Sequence, residues 1–178
     1  MEFGKVIETR RSVRKYLPQR VERDLIQRIL SRVADHAPAA RNIRSTRFLA
    51  VDDAAAIARI AAMRDYGSAF AAGAPCAVLV MGDPAMSDLW RENAAIAATM
   101  VLHELVDAGL AGCWIHVEGR PCLKAEPQGR QAEAALREFL PVPEGCRVLC
   151  VIACGYSDFT PAPLPDRDRT DEIRWFPE

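Results

Sequence analysis

The stretch Ala94-Ala95-Ile96-Ala97-Ala98-Thr99-Met100-Val101-Leu102 is apolar almost all the way round a helix. It lies in the longest helix candidate of the chain, about residues 87–108, with Gly109 as a natural C-cap. A helix without a polar face must be buried on every side. In a chain of 178 residues two arrangements allow that: a central core helix, or the seam of a dimer. A bilayer span is not the third, because the run is too short and is followed at once by His103 and Glu104.

The other elements alternate around this helix. Phe3, Val6 and Ile7 fall on one side of a short helix over residues 2–9. Val21, Leu25, Ile26, Ile29, Leu30 and Val33 recur at helical spacing and stop before Pro38. Residues 48–51 read as a strand, and Asp52-Asp53 as a cap for a helix over 54–63. Residues 66–73 suggest a short helix. The apolar run 77–81 has strand length and ends at Gly82-Asp83-Pro84. Further strands are expected at 113–115 and 147–153, with a helix over 131–140 between them. Helices and strands are interleaved, so the class is α/β or α+β. The length favours one domain, residues 1–178. Its tail, from about 157 to 178, is rich in Pro, Asp and Arg and ends in Trp175-Phe176-Pro177. Such a tail has little core of its own and reads as an extended arm that packs elsewhere, with a partner subunit as one candidate.

Composition narrows the function. A formal net charge of −1 argues against a broad nucleic-acid footprint. Neither a signal peptide nor a membrane span is evident, so a cytoplasmic location is expected. Six cysteines are then expected to be reduced. Cys146, Cys150 and Cys154 fall four apart, but the sequence between them is rich in β-branched residues. Along a strand each step separates neighbouring thiols by roughly 13 Å, at about 3.3 Å per residue. They read as small buried apolar side chains rather than ligands of one metal.

The common catalytic signatures are absent: no GxxxxGK[ST], no GxGxxG after a strand, no HExxH and no GxSxG. Of the three histidines, His103 reads as structural and His36 as a residue near a helix end. What the chain offers instead is Arg10-Arg11-Ser12-Val13-Arg14. In an extended backbone Arg10, Ser12 and Arg14 share one face, two guanidinium forks and a hydroxyl suited to a phosphate. The bland alternative is a solvated basic turn. Anion receptors without a nucleophile or base suit an enzyme whose reactivity comes from a bound organic cofactor.

Over nearly its full length the chain resembles the nitroreductase family of FMN-dependent oxidoreductases. The matching pieces occur in the family's order. Residues 10–14 look like the N-terminal FMN motif. Ala37-Pro38-Ala39-Ala40-Arg41-Asn42 is similar to the Ala-Pro-Ser-x-x-Asn segment. Residues 93–115 resemble the long central helix and following strand. Phe139-Leu140-Pro141-Val142-Pro143-Glu144-Gly145 resembles Leu-Gly-Ile-Pro-Glu-Gly, and residues 151–156 the final strand. Arg167 or Arg169 before Asp171-Glu172-Ile173 matches the terminal arginine segment.

The resemblance implies an α+β fold: a central mixed or antiparallel sheet flanked by helices, in an intertwined homodimer with FMN at the interface. It implies cofactor contacts from Arg10, Arg11, Ser12 and Arg14, with Arg10 and Ser12 at the phosphate and ribityl end and Arg14 near the N1–C2 carbonyl side of the ring. Asn42 would bond the ring or ribityl chain. Pro38, Ala39 and Ala40 would reach the flavin of the other subunit. Backbone donors near His116 and Val117 would face N5, and Arg167 and Arg169 would complete the phosphate clamp. NAD(P)H would be the donor and a nitroaromatic, a quinone or a similar small molecule the acceptor. Rival readings are a non-catalytic FMN-binding protein for sensing or storage, and a flavin enzyme of the same fold performing dehalogenation or flavin fragmentation. The chain departs from the family where Asn-x-Gln-Pro-Trp is expected: Arg44-Ser45-Thr46 replaces Gln-Pro-Trp, and position 39 is Ala rather than Ser. Arg44 there could favour an anionic acceptor, or Arg41, Arg44 and Arg47 could form a solvated basic edge. Residues 63–74 carry no clear family landmark.

Overall fold

The computed structural model describes residues 1–160, 162–169 and 172–176. Asp171 of the arginine segment and Pro177 of the aromatic end lie outside the described residues. Among the described residues there are five α-helices: α1 (Phe3–Thr9), α2 (Arg23–His36), α3 (Ala54–Ala61), α4 (Trp90–Asp107) and α5 (Ala132–Arg137). They interleave with four strands, β1 (Thr46–Val51), β2 (Cys76–Gly82), β3 (Ala111–His116) and β4 (Arg147–Gly155). Two 3₁₀ turns, Ala40–Asn42 and Ala69–Gly73, complete the set.

The strands form one sheet in the order β1-β2-β4-β3, with every neighbouring pair antiparallel. Side chains alternate across it. Cys76, Val78, Val80, Cys150, Ile152 and Cys154 pack against α2 and α4 on one face. Ala77, Leu79, Met81, Val151 and Ala153 pack with Ile57, Ile60, Ala132 and Leu136, from α3 and α5, on the other. Because helices cover both faces, β2 is buried along its whole length. That explains why its sequence is a continuous apolar run rather than an alternation.

The helix ends follow local chemistry. Asp53 caps α3 by accepting the Ala56 N–H at 2.7 Å. Asp52 instead binds Arg23, whose Nε and Nη2 donate to its two oxygens at 2.6 and 2.7 Å. Gly109, at φ 75°, ends α4, and the Leu110 N–H reaches back to the Leu105 carbonyl at 2.8 Å. The α4 helix buries Ala94, Ala97, Ala98, Val101 and Leu105. Its opposite side is open, and Ile96 is 40% exposed. Within one chain α4 is therefore not a central core helix. No helix among the described residues is long and apolar enough to cross a membrane.

Candidate functional site

The segment after α1 is extended and runs along the β3 edge of the sheet. Ser12 forms a parallel bridge with Gly112. The Val13 N–H donates to the Gly112 carbonyl at 3.2 Å, and the Leu17 N–H to the Tyr156 carbonyl at 2.8 Å. Between them the Tyr16 hydroxyl lies 2.7 Å from the Val13 carbonyl and 2.9 Å from the Ala153 carbonyl. The alternation read from the sequence is present: Val13 points inward and is buried, while Ser12 and Arg14 are exposed and Arg10 is half-buried. Around this strip lie Phe70, with the Arg14 guanidinium 5.6 Å from its ring centre, and Cys113, whose thiol meets the Ser12 hydroxyl. Burial pushes the Cys113 thiol above its ordinary range, against the opposing pull of Arg14. Gly112 is required by the close approach of β3 to α4. A Cβ there would press on Leu102 and Leu105 at 3.0 Å.

Arg11 does not join this strip. Its Nη1 turns back to the Glu8 and Arg10 carbonyls, at 2.7 and 2.8 Å. The even–odd alternation that gathers 10, 12 and 14 on one face directs the Arg11 side chain to the end of α1, where helix carbonyls lack partners.

Pro38, Ala39, Ala40 and Asn42 lie on the loop between α2 and β1. Arg41 and Asn42 are consecutive residues in the left-handed region, at φ 53° and 56°. Strain of this kind persists only where surrounding contacts over-determine it. Here the anchor is Asn93, buried near the start of α4. It accepts the Ala40 N–H at 2.9 Å and donates to the Ser45 and Ser87 hydroxyls at 3.1 and 3.4 Å. Sequence reasoning placed Asn93 only as the beginning of a helix. The available signal was one amide on an otherwise apolar face. Arg44 lies on the same loop. Its guanidinium donates to the Ala37 carbonyl at 2.8 Å and the Ala34 carbonyl at 3.3 Å, at the C-terminal end of α2. Arg41 is paired with Asp88 at 2.7 Å, and Arg47 binds the Arg44 and Thr46 carbonyls. No hydrogen bond joins this loop to residues 10–14 among the described residues.

The third region follows β3. The Val117 and Glu118 N–H groups both donate to the Leu149 carbonyl, at 2.9 and 3.1 Å. The expected backbone donor at Val117 is thus already used, because the ladder to β4 continues one step past the strand. His116 is half-buried. Its Nδ1 accepts from Trp114 Nε1 at 3.4 Å, and the two rings stack. Burial, with Arg120 and Arg64 nearby, lowers its affinity for a proton. Arg64, buried beside this region, escaped the sequence reading. In the arm, Arg167 is exposed and pairs with Glu172 at 2.8 Å, while Arg169 binds the Arg167 carbonyl at 3.2 Å. Among the described residues no hydrogen bond brings either to the N-terminal strip.

The model of the nitroreductase family matches residues 7–64, which hold both the strip and the left-handed loop. An FMN-dependent nitroreductase of Clostridium difficile superposes with a TM-score of 0.86 at 30% identity, over 96% of this chain and 97% of its own. The chain belongs to the nitroreductase family. A structure from Bacteroides thetaiotaomicron, assigned by its name to the NADH dehydrogenase/NAD(P)H nitroreductases, has a TM-score of 0.83 at 28% identity and covers 99% of this chain and 98% of its own. A protein of Archaeoglobus fulgidus with the same assignment is 29% identical over 97% of this chain and 96% of its own. The nitroreductase family consists of oxidoreductases, and the α+β architecture expected from the resemblance is the one observed.

Proposed function

We propose that this nitroreductase-family chain binds FMN without a covalent link and passes electrons from NAD(P)H to a nitroaromatic, quinone or similar small acceptor. The carrying observation is the strip of Arg10, Ser12 and Arg14. Two guanidinium groups and a hydroxyl lie along one extended segment, and neither arginine has a carboxylate partner among the described residues. A donor set of that kind fits a phosphate. In this reading Arg10 and Ser12 hold the phosphate end. Arg14, turned toward Phe70, places its charge at the N1–C2 side of the ring. When bound, FMN supplies a two-electron centre that accepts hydride at N5. The protein's part is to hold the donor within reach and to keep a positive charge where reduction adds a negative one.

The working unit in this reading is a homodimer of one-domain chains, residues 1–178, with residues from about 157 acting as an arm. Apolar side chains left open on one chain support it: Leu89 and Ile96 at and near the start of α4, and Trp175 and Phe176 in the arm, 83% and 99% exposed. Pro38, Ala39, Ala40 and Asn42 serve the partner's flavin, and Arg167 and Arg169 join the phosphate clamp after assembly. A cytoplasmic location suits reduced thiols.

Purified protein is expected to be yellow, to release FMN on denaturation, and to bleach anaerobically with NADH or NADPH. Arg10→Ala should weaken FMN binding by roughly 10- to 100-fold, the worth of a charge-assisted hydrogen bond, with an unchanged circular dichroism spectrum. Unchanged FMN affinity in that variant would remove Arg10 from the phosphate. Flavin that binds but never bleaches would make the chain a binding protein.

A further inference from the structure

Arg64 lies in the segment between α3 and the turn at Ala69–Gly73, and only 8% of it is exposed. Its Nε has no hydrogen-bond partner, and no carboxylate pairs with it, among the described residues. The guanidinium rests 4.6 Å from the centre of the Tyr66 ring. Its Nη2 lies 3.5 Å from where a Cβ on Gly67 would sit. An arginine cannot relieve such burial by losing its proton. A buried cation without a counter-charge is costly, so an anion supplied from outside the chain is the natural complement.

The backbone ties Arg64 to the loop after β3. The Asp65 N–H donates to the Cys122 carbonyl at 2.9 Å, and the Lys124 N–H to Asp65 Oδ1 at 3.0 Å. That loop carries Arg120, exposed and without an ion pair among the described residues, just beyond His116. Of the acids nearby, Asp65 gives one oxygen to the Lys124 N–H and pairs with neither arginine, and Glu118 is held by Arg91 at 2.7 Å, so two arginines face one uncommitted carboxylate. The neighbourhood therefore has an excess of positive charge. Burial and the two arginines also disfavour protonation of His116, which leaves it neutral while the guanidiniums carry the charge.

We propose that Arg64, His116 and Arg120 form a carboxylate-binding subsite, so that the preferred acceptor is an aromatic or quinone carrying a carboxylate group. The placement of that subsite beside the reactive ring rests on the proposed flavin reading together with the family resemblance, which puts His116 and Val117 near N5. The subsite draws on Arg64, in the segment without family landmarks, and does not involve Arg44.

The test uses two probes of nearly equal shape, 4-nitrobenzoate and neutral 4-nitrobenzamide. Calorimetric titration of the protein as purified, without reductant, should show nitrobenzoate binding at least about tenfold more tightly than the amide. Steady-state kcat/KM should favour nitrobenzoate by a similar factor, through KM. In Arg64→Met both ratios should fall toward one. Arg120→Ala, at an exposed position, should lower them by a smaller factor and gives the answer if Arg64→Met fails to fold. Equal binding of both probes by the wild type overturns the subsite. So does a preference that survives both substitutions. A loss of FMN from Arg64→Met, with the probe preference intact, assigns the anion to the flavin and also overturns it. A colourless wild type that cannot bind FMN refutes the flavin reading separately, since the calorimetric comparison needs no flavin.

Discussion

At His116 burial, Arg120 and Arg64 favour a neutral imidazole against the pull of Glu118, and Nδ1 acts as an acceptor from Trp114. Its proton affinity in the folded state lies below that of the unfolded chain, where an ordinary histidine titrates near pH 6.5. The stabilisation is then fully present above about pH 6.5 and is lost as pH falls through the lower, folded value. His103, depressed by burial and by Arg10, acts in the same direction. Asp52, held low by its hydrogen bonds to Arg23, adds a second loss only below the ordinary carboxylate range. Urea unfolding should therefore show stability falling as the pH drops below about 6.5, and His116→Gln should flatten that fall. An unchanged slope in the variant would place the titration elsewhere.

At the scale of elements, the loop from Pro38 to Arg44 depends on a side chain fifty residues away. Asn93→Ala leaves the Ala40 N–H and two buried hydroxyls without their amide partner. The expected cost is about 1–3 kcal/mol for unmade buried hydrogen bonds, measured by urea unfolding, with faster tryptic cleavage after Arg41. Unaltered cleavage would mean that the left-handed pair is held by other contacts. The regular elements were legible because their periods are local. The apolar spacing of α2 and the run in β2 each located an element within about two residues, and Asp53 and Gly109 marked ends by rules of capping. The loop was not legible in that way. Neither Arg41 nor Asn42 signals a left-handed backbone as glycine would, and the force that holds them there comes from α4. The contacts of Arg11 and Arg44 were illegible for a related reason: a basic residue near a helix end can serve a ligand or the helix's own carbonyls, and its sequence position does not distinguish the two. Arg64 was invisible because burial of a charged residue leaves no periodic trace.

For the whole molecule, the open side of α4 is the test of assembly. Ile96→Glu places a charge on that face without touching the core, since Ile96 is 40% exposed. Sedimentation should find the wild type dimeric and the variant monomeric or strongly weakened, with helicity retained. A variant that sediments as the wild type does would put the seam elsewhere. The sequence offered core helix or dimer seam for α4, and the open face removes the first. The anion strip imposes an order on biosynthesis. Residues 10–17 are held by Gly112, Ala153 and Tyr156. The strip thus leaves the ribosome well before β4 and lacks its scaffold until that strand follows. At about 5–20 residues per second that interval is roughly 7–30 s. The first-made part of the site is the last to take shape, and any cofactor that needs it can be loaded only after β4 has been made.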